Sequence, residues 1–575
     1  MFNRKLQSKL RKRDIITYLF SYYRQLAFTT FVVSFFAGLT TLMIPLAIGK
    51  YYGFLFDLHS FRAQLLDFLP FDLSDIHVFI GFFVALVVLK TILSYGERYY
   101  SRLLGEKFVF SLRQMLFESQ LNIPIEDYEN RGFGRYLLRF SGDLNSLKNY
   151  FCKGIVQFIG DLIWIALAII ILVSLDSRLG LILFIGLIPV FIVILLFGHR
   201  LSRTTRQQRN QKSGLLSFTA TRLRAIHSIR FFNKEAPELA KFSHKAKHLL
   251  TSSIAYQKIL SLIHAMIPGL LYLMLAAMFY YVSYAGMNQD KASGSKILIF
   301  VILLLTILPI LRRILKINIV WELGTISFEK FLQVLNRSDF TKAHLPDYVY
   351  QTGKLEIKNL SYQFESKEEI FHNLNMAIDG PGIHLVYGKA GSGKSTLVKL
   401  ITGLYQATED AILLDGQDVQ QVNGKSLRRH IVVVSNEIQL LGKTVFEAIS
   451  YSRKANKRPA AQFLLDHLFE GNPALPQLSL NDPIGEAGNK LSKGQQQLLA
   501  YARALLTRKK IILIDEPFEG IGDESISFWV KEIRQLAKKK TVIIFSSKTL
   551  GGVFKPASVF HLNHQSMKTS IYDET

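Results

Sequence analysis

Long apolar segments dominate the first part of the chain. Six of them lie before residue 320, and each is at least 20 residues long. At about 1.5 Å rise per residue, a helix of this length crosses a hydrocarbon core of about 30 Å. The pattern predicts six membrane-spanning helices rather than the buried helices of a large soluble protein. We place the six segments at residues 26–52, 77–98, 154–175, 179–198, 258–285 and 296–317.

A different pattern begins after about residue 353. Short apolar strands there alternate with helical stretches, which is typical of a parallel sheet covered by helices. The strands are predicted at Gly382–Tyr387, Ile431–Val434, Ile511–Ile514 and Thr541–Phe545. The predicted fold class is therefore multi-domain, with an all-α six-span membrane domain followed by an α/β domain. We expect a transmembrane domain at 1–335, a linker at 336–353 and an α/β domain at 354–575.

Composition supports a membrane protein. Apolar residues make up 49% of the 575 residues, charged residues make up 20%, and mean hydropathy is +0.21. These values argue against a soluble enzyme and, with 43 Phe and 24 Tyr, against a disordered chain. The single cysteine, Cys152, excludes an internal disulfide framework. The net charge of +25 suits either a nucleic-acid binder or basic loops at an anionic membrane surface.

The position of the charges along the chain distinguishes these two explanations. The segment after the first span carries four aspartates and one arginine, whereas the N-terminus and residues 199–257 are rich in lysine and arginine. By the positive-inside rule, the N-terminus and the loops at 99–153 and 199–257 are cytosolic. Topology therefore accounts for the positive charge, and we expect no nucleic-acid partner. We expect a multi-pass protein of a bacterial plasma membrane with both termini in the cytosol.

Residues 388–396 match the phosphate-binding pattern G-x-x-x-x-G-K-[ST], between a predicted strand and a predicted helix. Glycines let backbone N–H groups surround phosphates at the positive end of that helix. Lys394 is expected to reach the β- and γ-phosphates, and the Ser395 hydroxyl is expected to ligate Mg²⁺. The predicted nucleotide-binding residues here are Gly388, Lys389, Ala390, Gly391, Ser392, Gly393, Lys394, Ser395 and Thr396.

Two further motifs add to this site. An apolar strand ends at Asp515, which would join the metal shell, and Glu516 follows, placed to polarise a water against the γ-phosphate. Another helix opens with a Ser and a Gly, which form a second anion-facing cap. Because one chain does not need two such caps for one nucleotide, this motif predicts a dimer. The motif comprises Leu491, Ser492, Lys493, Gly494 and Gln495.

The order of these motifs resembles that of an ABC exporter half-transporter, in which one chain joins a six-helix membrane domain to one P-loop ABC ATPase domain. The order is six spans, the phosphate loop, L-S-x-G-Q and a strand ending in Asp-Glu. Residues 128–134, 141–144 and 226–232 are similar to stretches around the family's two coupling helices, and residues 482–486 to its contact with them. The resemblance implies an ATP-driven exporter in a lipid bilayer, with ATP and Mg²⁺ as cofactors.

The resemblance also implies a partner, because in this family two half-transporter chains pair head to tail. Each ATP would lie between the phosphate loop of one chain and Ser492–Gln495 of the other. The position that matches the family's adenine-stacking aromatic residue is Phe364. Packing of this ring on the domain core is the competing interpretation.

Three positions depart from the family pattern. Asn436 stands where the family has a glutamine that meets Mg²⁺, and Ser547 stands where it has a switch histidine that contacts the γ-phosphate. Gly522 aligns with an aspartate, although a one-residue shift could recruit Asp523. These departures leave three hypotheses open: the weakened half of a heterodimer, a homodimer with slow hydrolysis, or a regulatory chain that binds ATP without useful turnover.

Ionisable residues within the spans suggest a cargo. Counted from the cytosolic end of each span, Lys90, Asp161, His264 and Arg312 lie at a similar depth in the inner leaflet. Intramembrane charge is costly and usually faces a cavity. We therefore expect a cavity that accepts a small amphipathic, anionic substrate. Snorkelling of the basic side chains to the headgroups is the alternative for Lys90 and Arg312, and import of a siderophore or metal chelate is the alternative direction of transport.

Overall fold

The computed structural model describes residues 11–55, 75–131, 139–284, 292–337, 344–364, 369–435, 438–451, 457–470, 475–507, 509–517, 523–548, 550, 552–563 and 566–570. The chain forms two units, and each is described by itself. The first unit comprises Met1–Ile123 and Tyr128–Ser338, and the second comprises Pro124–Asp127 and Asp339–Thr575.

The first unit consists of helices. Six stretches among the described residues are long and apolar enough to cross a membrane, which confirms the predicted six-span fold. They are Arg24–Tyr52, Ile76–Leu121, Leu144–Ser174, Ser177–Arg224, Glu235–Tyr281 and Leu298–Leu335. The helices are α1 (Lys12–Tyr22), α2 (Arg24–Leu55), α3 (Ile76–Leu121), α4 (Ile125–Arg131), α5 (Leu144–Phe151), α6 (Phe158–Leu175), α7 (Ser177–Arg224), α8 (Ile226–Phe231), α9 (Glu235–Tyr284) and α10 (Ala292–Leu335). The first three residues of α4 belong to the second unit.

Two of these helices are far longer than a bilayer requires. Helix α7 has 48 residues and α9 has 50, so each is about 70 Å long, against a hydrocarbon core of about 30 Å. A partly buried ion pair holds the polar extension of α7, and in it Arg209 Nη2 donates to Asp143 Oδ1 at 2.7 Å. Arg209 Nη1 also donates to the Leu323 carbonyl at 3.1 Å, which ties α7 to α10.

One π-helical turn, at Arg139–Asp143, precedes the third span, and another, at Cys152–Gln157, interrupts it. A π-turn leaves backbone carbonyls without their usual helical partner. Trp321 Nε1 on α10 donates to the Gly154 carbonyl at 2.9 Å. A Cβ at Gly154 would lie 3.1 Å from the Trp321 ring, so the absence of a side chain allows this close approach. The interruption is thus stabilised by a specific contact with α10.

The second unit contains two sheets, which confirms the predicted α/β class. Strands β2, β1, β4 and β5 form an antiparallel sheet in that order, and β10, β9, β3, β8, β7 and β6 form the main sheet. The strands are β1 (Leu355–Gln363), β2 (Glu369–Ile378), β3 (Gly382–Gly388), β4 (Ile412–Leu414), β5 (Gln417–Asp418), β6 (Ile431–Val434), β7 (Ile511–Asp515), β8 (Thr541–Ser546), β9 (Ser558–Asn563) and β10 (Ser566–Ser570). The helices are α11 (Lys394–Ile401), α12 (Gly424–His430), α13 (Val445–Ser450), α14 (Arg458–Glu470), α15 (Lys493–Leu506) and α16 (Asp523–Ala537).

The main sheet is buried on both faces. Strand β7 directs Ile512 and Ile514 into one apolar cluster and Ile511 and Leu513 into another. Strands β6, β7, β8, β3 and β9 pair in parallel. The carboxyl ends of β3 and β7 therefore lie at the same edge of the sheet, where the phosphate loop and Asp515 follow.

Within the second unit, the carboxylate of Asp415 holds the segment at 348–354, which precedes β1. Asp415 Oδ2 accepts from Tyr348 Oη at 2.6 Å and from Gln351 N at 2.9 Å. Its Oδ1 accepts from the backbone N–H groups of Thr352, Gly353 and Lys354 at 2.8–3.1 Å. Burial raises the pKa of Asp415, but these hydrogen bonds to the ionised form outweigh it and hold the pKa below its usual value.

Candidate nucleotide site and membrane cavity

The phosphate loop has a tight geometry that requires glycine. Gly391 and Gly393 have φ values of 84° and 95°, in the left-handed region. A Cβ at Gly393 would lie 2.7 Å from Phe371 Cζ, and a Cβ at Gly388 would lie 2.4 Å from Ser392 Oγ. The chain can therefore turn from the end of β3 into the first turn of α11 only with these small residues.

Lys394 and Ser395 begin α11 beside the loop. The Lys394 ammonium donates to the carbonyl oxygens of Gly388 at 2.8 Å and Lys389 at 3.1 Å. Ser395 Oγ donates to Asp515 Oδ2 at 2.7 Å, at the buried end of β7. Hydroxyl and carboxylate oxygens are the ligands that Mg²⁺ prefers. The oxygen donors of this pair therefore fit the metal shell expected from the sequence.

The other loop residues differ in exposure. Lys389, Ala390 and Gly391 are exposed, and Thr396 is partly buried. Ser392 is 3% exposed, and its hydroxyl has no hydrogen-bond partner in the described part of the chain. An unpaired buried hydroxyl is costly, so its presence is consistent with a site that a ligand completes.

Glu516 lies between two other site residues. Its Oε1 is 3.3 Å from Lys394 Nζ. Its Oε2 accepts from both the backbone N–H and the hydroxyl of Ser547, each at 3.1 Å. The sequence placed Glu516 and Ser547 in one site but gave no sign of this direct contact, because 31 residues separate them.

The backbone at Glu516 is strained and closely held. Its φ is 51°, which a residue with a Cβ rarely adopts. The Glu516 N–H donates to the Phe545 carbonyl at 2.9 Å. From α15, Gln497 Nε2 and Tyr501 Oη donate to the Pro517 carbonyl at 2.5 and 3.0 Å. Sequence reasoning missed Gln497 and Tyr501, because nothing in a helix pattern shows which strand end it will hold.

The second motif forms the start of α15. Ser492 is the N-cap, and its Oγ accepts from the Gln495 N–H at 3.2 Å. Gln495 Oε1 accepts from the Ser492 N–H at 3.0 Å, which completes a capping box. Ser492 and Lys493 are exposed, whereas Leu491, Gly494 and Gln495 are buried. The exposed cap presents its hydroxyl and a positive helix end to solvent.

Phe364 follows β1 and packs edge-on against two tyrosines. Its ring centroid is 5.2 Å from that of Tyr362 and 5.6 Å from that of Tyr405. The ring is partly buried against the core, which agrees with core packing and leaves part of it exposed.

Two of the three departures from the family pattern, Asn436 and Gly522, lie outside the described residues.

The membrane unit contains a cavity of about 1040 Å³. Lys90 and Asp161 are among its lining residues. Arg312 and His264 are not among its lining residues, and Arg313 is. Counting along a helix gives depth but not rotation, and successive helical residues point about 100° apart. Arg312 and His264 therefore stay predictions, and Arg313 joins Lys90 and Asp161 on the wall of this cavity.

The cavity has a surplus of positive charge. Six basic and three acidic side chains line it. Arg313 holds Asp161 with two hydrogen bonds, at 2.5 and 3.1 Å, and Lys148 forms an ion pair with Glu106. Glu97 contributes the third negative charge. The remaining cations have no hydrogen-bond or ion-pair partner in the described part of the chain; they are Lys90, Arg98, Arg102 and Lys153.

Fold and site together define a membrane-spanning ATPase with a phosphate loop. The sequence matches the ABC transporter transmembrane region over residues 27–310 and the ABC transporter family over residues 371–519. The chain belongs to the ABC transporters, and it is an exporter-type half-transporter with an ATP-binding ATPase domain. The resemblance seen in the order of motifs is thus confirmed.

Similar proteins support the same class. An ATP-dependent lipid A-core flippase of Haemophilus influenzae is 23% identical over 473 residues, which cover 81% of this chain and 80% of the relative. A Bacillus subtilis protein named for multidrug export is 24% identical over 480 residues, with 81% of each chain covered. A bacterial Atm1-family ABC exporter, solved with ATP bound, has the same fold, with a TM-score of 0.80, 18% identity and 95% of each chain covered.

Proposed function

We propose that this half-transporter exports an anionic amphipathic molecule. The observation that carries the proposal is the set of unpaired cations in the cavity. An ionic side chain within a span, such as Lys90, costs about 2.5–3.5 kcal/mol on insertion scales. A cargo with acidic groups would offset that cost. Trp164, Val156 and Ile310 also line the cavity and would contact its apolar part. An amphipathic cargo agrees with the flippases among the relatives.

In the ATPase domain, the phosphate loop and Lys394 would bind the phosphates of ATP. Ser395 and Asp515 would hold Mg²⁺, which neutralises phosphate charge during transfer. Glu516 would accept a proton from the attacking water, and the exposed part of the Phe364 ring would contact adenine. Support for these roles comes from the meeting of Ser395, Asp515, Lys394 and Glu516 at one edge of the sheet.

A second half-transporter chain would complete each nucleotide site. The exposed N-cap at Ser492 would face the phosphates bound by the partner, where a helix N-terminus favours negative charge. We propose a bacterial plasma membrane location, which the bacterial relatives support. We also propose that both termini are in the cytosol, which the distribution of basic residues supports. The partner is either a second copy of this chain or a different half-transporter.

The cargo proposal can be tested by substrate-stimulated ATPase activity in proteoliposomes. Anionic, zwitterionic and cationic amphiphiles of equal chain length are compared, and we expect the anionic ones to stimulate most. The double variant Lys90→Met/Arg98→Gln should lose the stimulation and keep basal turnover, because both cations line the cavity. Arg312→Gln is the matched control, since Arg312 lies outside the cavity wall. Stimulation that survives the double variant, or that is strongest with cations, would contradict the proposal.

Import of an anionic metal chelate is the second candidate, because the same positive cavity would accept it. Inside-out vesicles given ATP distinguish the two directions. An exporter accumulates cargo inside such vesicles, whereas an importer releases preloaded cargo from them. A chain with only a regulatory role would do neither.

A further inference from the structure

We propose that Ser547 positions the Glu516 carboxylate, and that this chain needs no histidine at that position to hydrolyse ATP. The inference rests on the proposed role of Glu516 as the general base. It replaces the view that Ser547 is the remnant of a lost switch residue. Both donors of Ser547, the N–H and the hydroxyl, bond to one oxygen of Glu516 at 3.1 Å.

The turn that carries Ser547 is itself fixed. Ser546 is buried at the end of β8, and its Oγ donates to the Lys548 carbonyl at 2.9 Å. The same Oγ accepts from the Lys548 N–H at 3.1 Å. Strand β8 also anchors the base, because the Phe545 carbonyl accepts from the Glu516 N–H. The donor, Ser547, and the acceptor, Glu516, thus follow two paired strands, β8 and β7, which hold them in place.

The second oxygen of the carboxylate explains why an anchor is needed. Glu516 Oε1 faces Lys394, which also donates to two loop carbonyls. A bound phosphate would draw the Lys394 ammonium toward itself, because Lys394 is the residue expected to contact it. Ser547 would then be the remaining group on the carboxylate, holding Oε2 and leaving Oε1 directed at a water.

The test uses the assembled dimer in lipid, with kcat and KM for ATP as the two measured quantities. Ser547→Ala removes the hydroxyl and keeps the N–H, and we expect kcat to fall by about tenfold, the effect of losing one hydrogen bond to a charged group. KM should change by less than about twofold, since substrate binding is untouched. Ser547→Thr, which restores a hydroxyl, should recover most of kcat.

Three further variants make the result decisive. Ser558→Ala is the matched control, because its hydroxyl contacts His384 instead of the site. Ser547→His should not exceed the wild-type kcat; a higher rate would mean that the serine is a defective histidine and would overturn the inference. Unchanged kcat in Ser547→Ala would also overturn it. Glu516→Gln distinguishes two kinds of failure. If Glu516→Gln is inactive while Ser547→Ala has normal activity, only the positioning role of Ser547 is wrong. If Glu516→Gln is active, the assignment of Glu516 as the general base is wrong as well.

Discussion

At the scale of single residues, the backbone of the nucleotide site is strained at Glu516, the proposed general base. Glu516 adopts a φ of 51°, which costs of order 1–3 kcal/mol for a non-glycine residue. Bonds to Phe545, and from Gln497 and Tyr501 to the neighbouring Pro517, hold the chain in this conformation. Such over-determined strain is typical of functional sites. It fixes where the carboxylate points before any nucleotide arrives.

Replacing Glu516 separates chemistry from binding. Glu516→Gln keeps the size of the side chain and removes the proton acceptor, so we expect ATPase activity to fall by ~10²-fold or more. Affinity for an ATP analogue should be retained. Lys394→Ala is the contrasting variant, because it removes the ammonium from the loop and should weaken nucleotide binding itself. Steady-state hydrolysis and equilibrium binding, measured on both variants, check the assignment. Substantial hydrolysis by Glu516→Gln would show that the base lies elsewhere.

At the scale of elements, Asp415 joins the segment at 348–354 to the turn between β4 and β5. Six hydrogen bonds end on its carboxylate, which is too many to be incidental, and an ionised carboxylate can accept them all. A seventh bond runs from the Asp415 N–H to the Lys354 carbonyl. Asp415 has a φ of 50°, a conformation that asparagine also tolerates. Asp415→Asn therefore changes the acceptor and little else.

We expect Asp415→Asn to destabilise the second unit by about 1–3 kcal/mol, the range for hydrogen bonds to a charged group. Because the folded pKa of Asp415 is lowered, its contribution is present above the unfolded pKa and is lost as pH falls through the folded one. The difference between wild type and variant should thus be constant from pH 7 to about pH 5 and shrink below it. Thermal unfolding of the full chain across this range is the measurement. A difference that grows on acidification would contradict the assignment.

The elements also show what the sequence could predict. Strands β3, β6, β7 and β8 lie within one residue of their predicted bounds, because strands buried on both faces read as continuous apolar runs. The antiparallel sheet was not predicted. Its strand β1 is half exposed and interrupted by Asn359 at positive φ, so it lacks a regular pattern. Helix α7 continues from its apolar part through the first half of the 199–257 loop to Arg224, as the helical spacing of Leu215, Phe218 and Leu223 indicates. Tertiary contacts such as that of Arg209 stabilise this extension.

In the candidate sites, too, local sequence patterns predicted some features, whereas features that depend on tertiary contacts were not predicted. Local motifs located the phosphate loop, Asp515 and Glu516, because each lies at a strand end with a fixed spacing. The bond between Ser547 and Glu516 depends on the pairing of two strands, which no local pattern encodes. In the membrane unit, counting along a helix predicts the depth of a residue but not the direction of its side chain, so the sequence alone did not single out Arg313, which lines the cavity beside Lys90. The free cations Arg98 and Arg102 lie at the end of a predicted span, where a basic residue alone gives no signal of a cavity.

At the scale of the whole molecule, the proposed head-to-tail pairing makes a prediction about mixed dimers. Each nucleotide would use the phosphate loop of one chain and the Ser492 cap of the other. Ser492→Asp is a suitable disruption, because aspartate caps a helix as well as serine does, while its charge would repel the partner's bound phosphates. Ser492→Asn caps equally well without charge and is the matched control, so it should retain much more activity than Ser492→Asp.

If the chain forms homodimers, Lys394→Ala dimers and Ser492→Asp dimers should each be inactive, because both of their sites carry a defect. Co-expression of the two variants with different tags gives mixed dimers in which one site carries both defects and the other carries neither. Such dimers, purified through both tags, should regain the ATPase activity of one intact site, whereas a site built within one chain would stay inactive in every combination. Mixed dimers as inactive as their parents would therefore contradict the shared site. Failure of this chain to pair with itself would instead favour a heterodimer, and the same complementation would then be made between the two different chains.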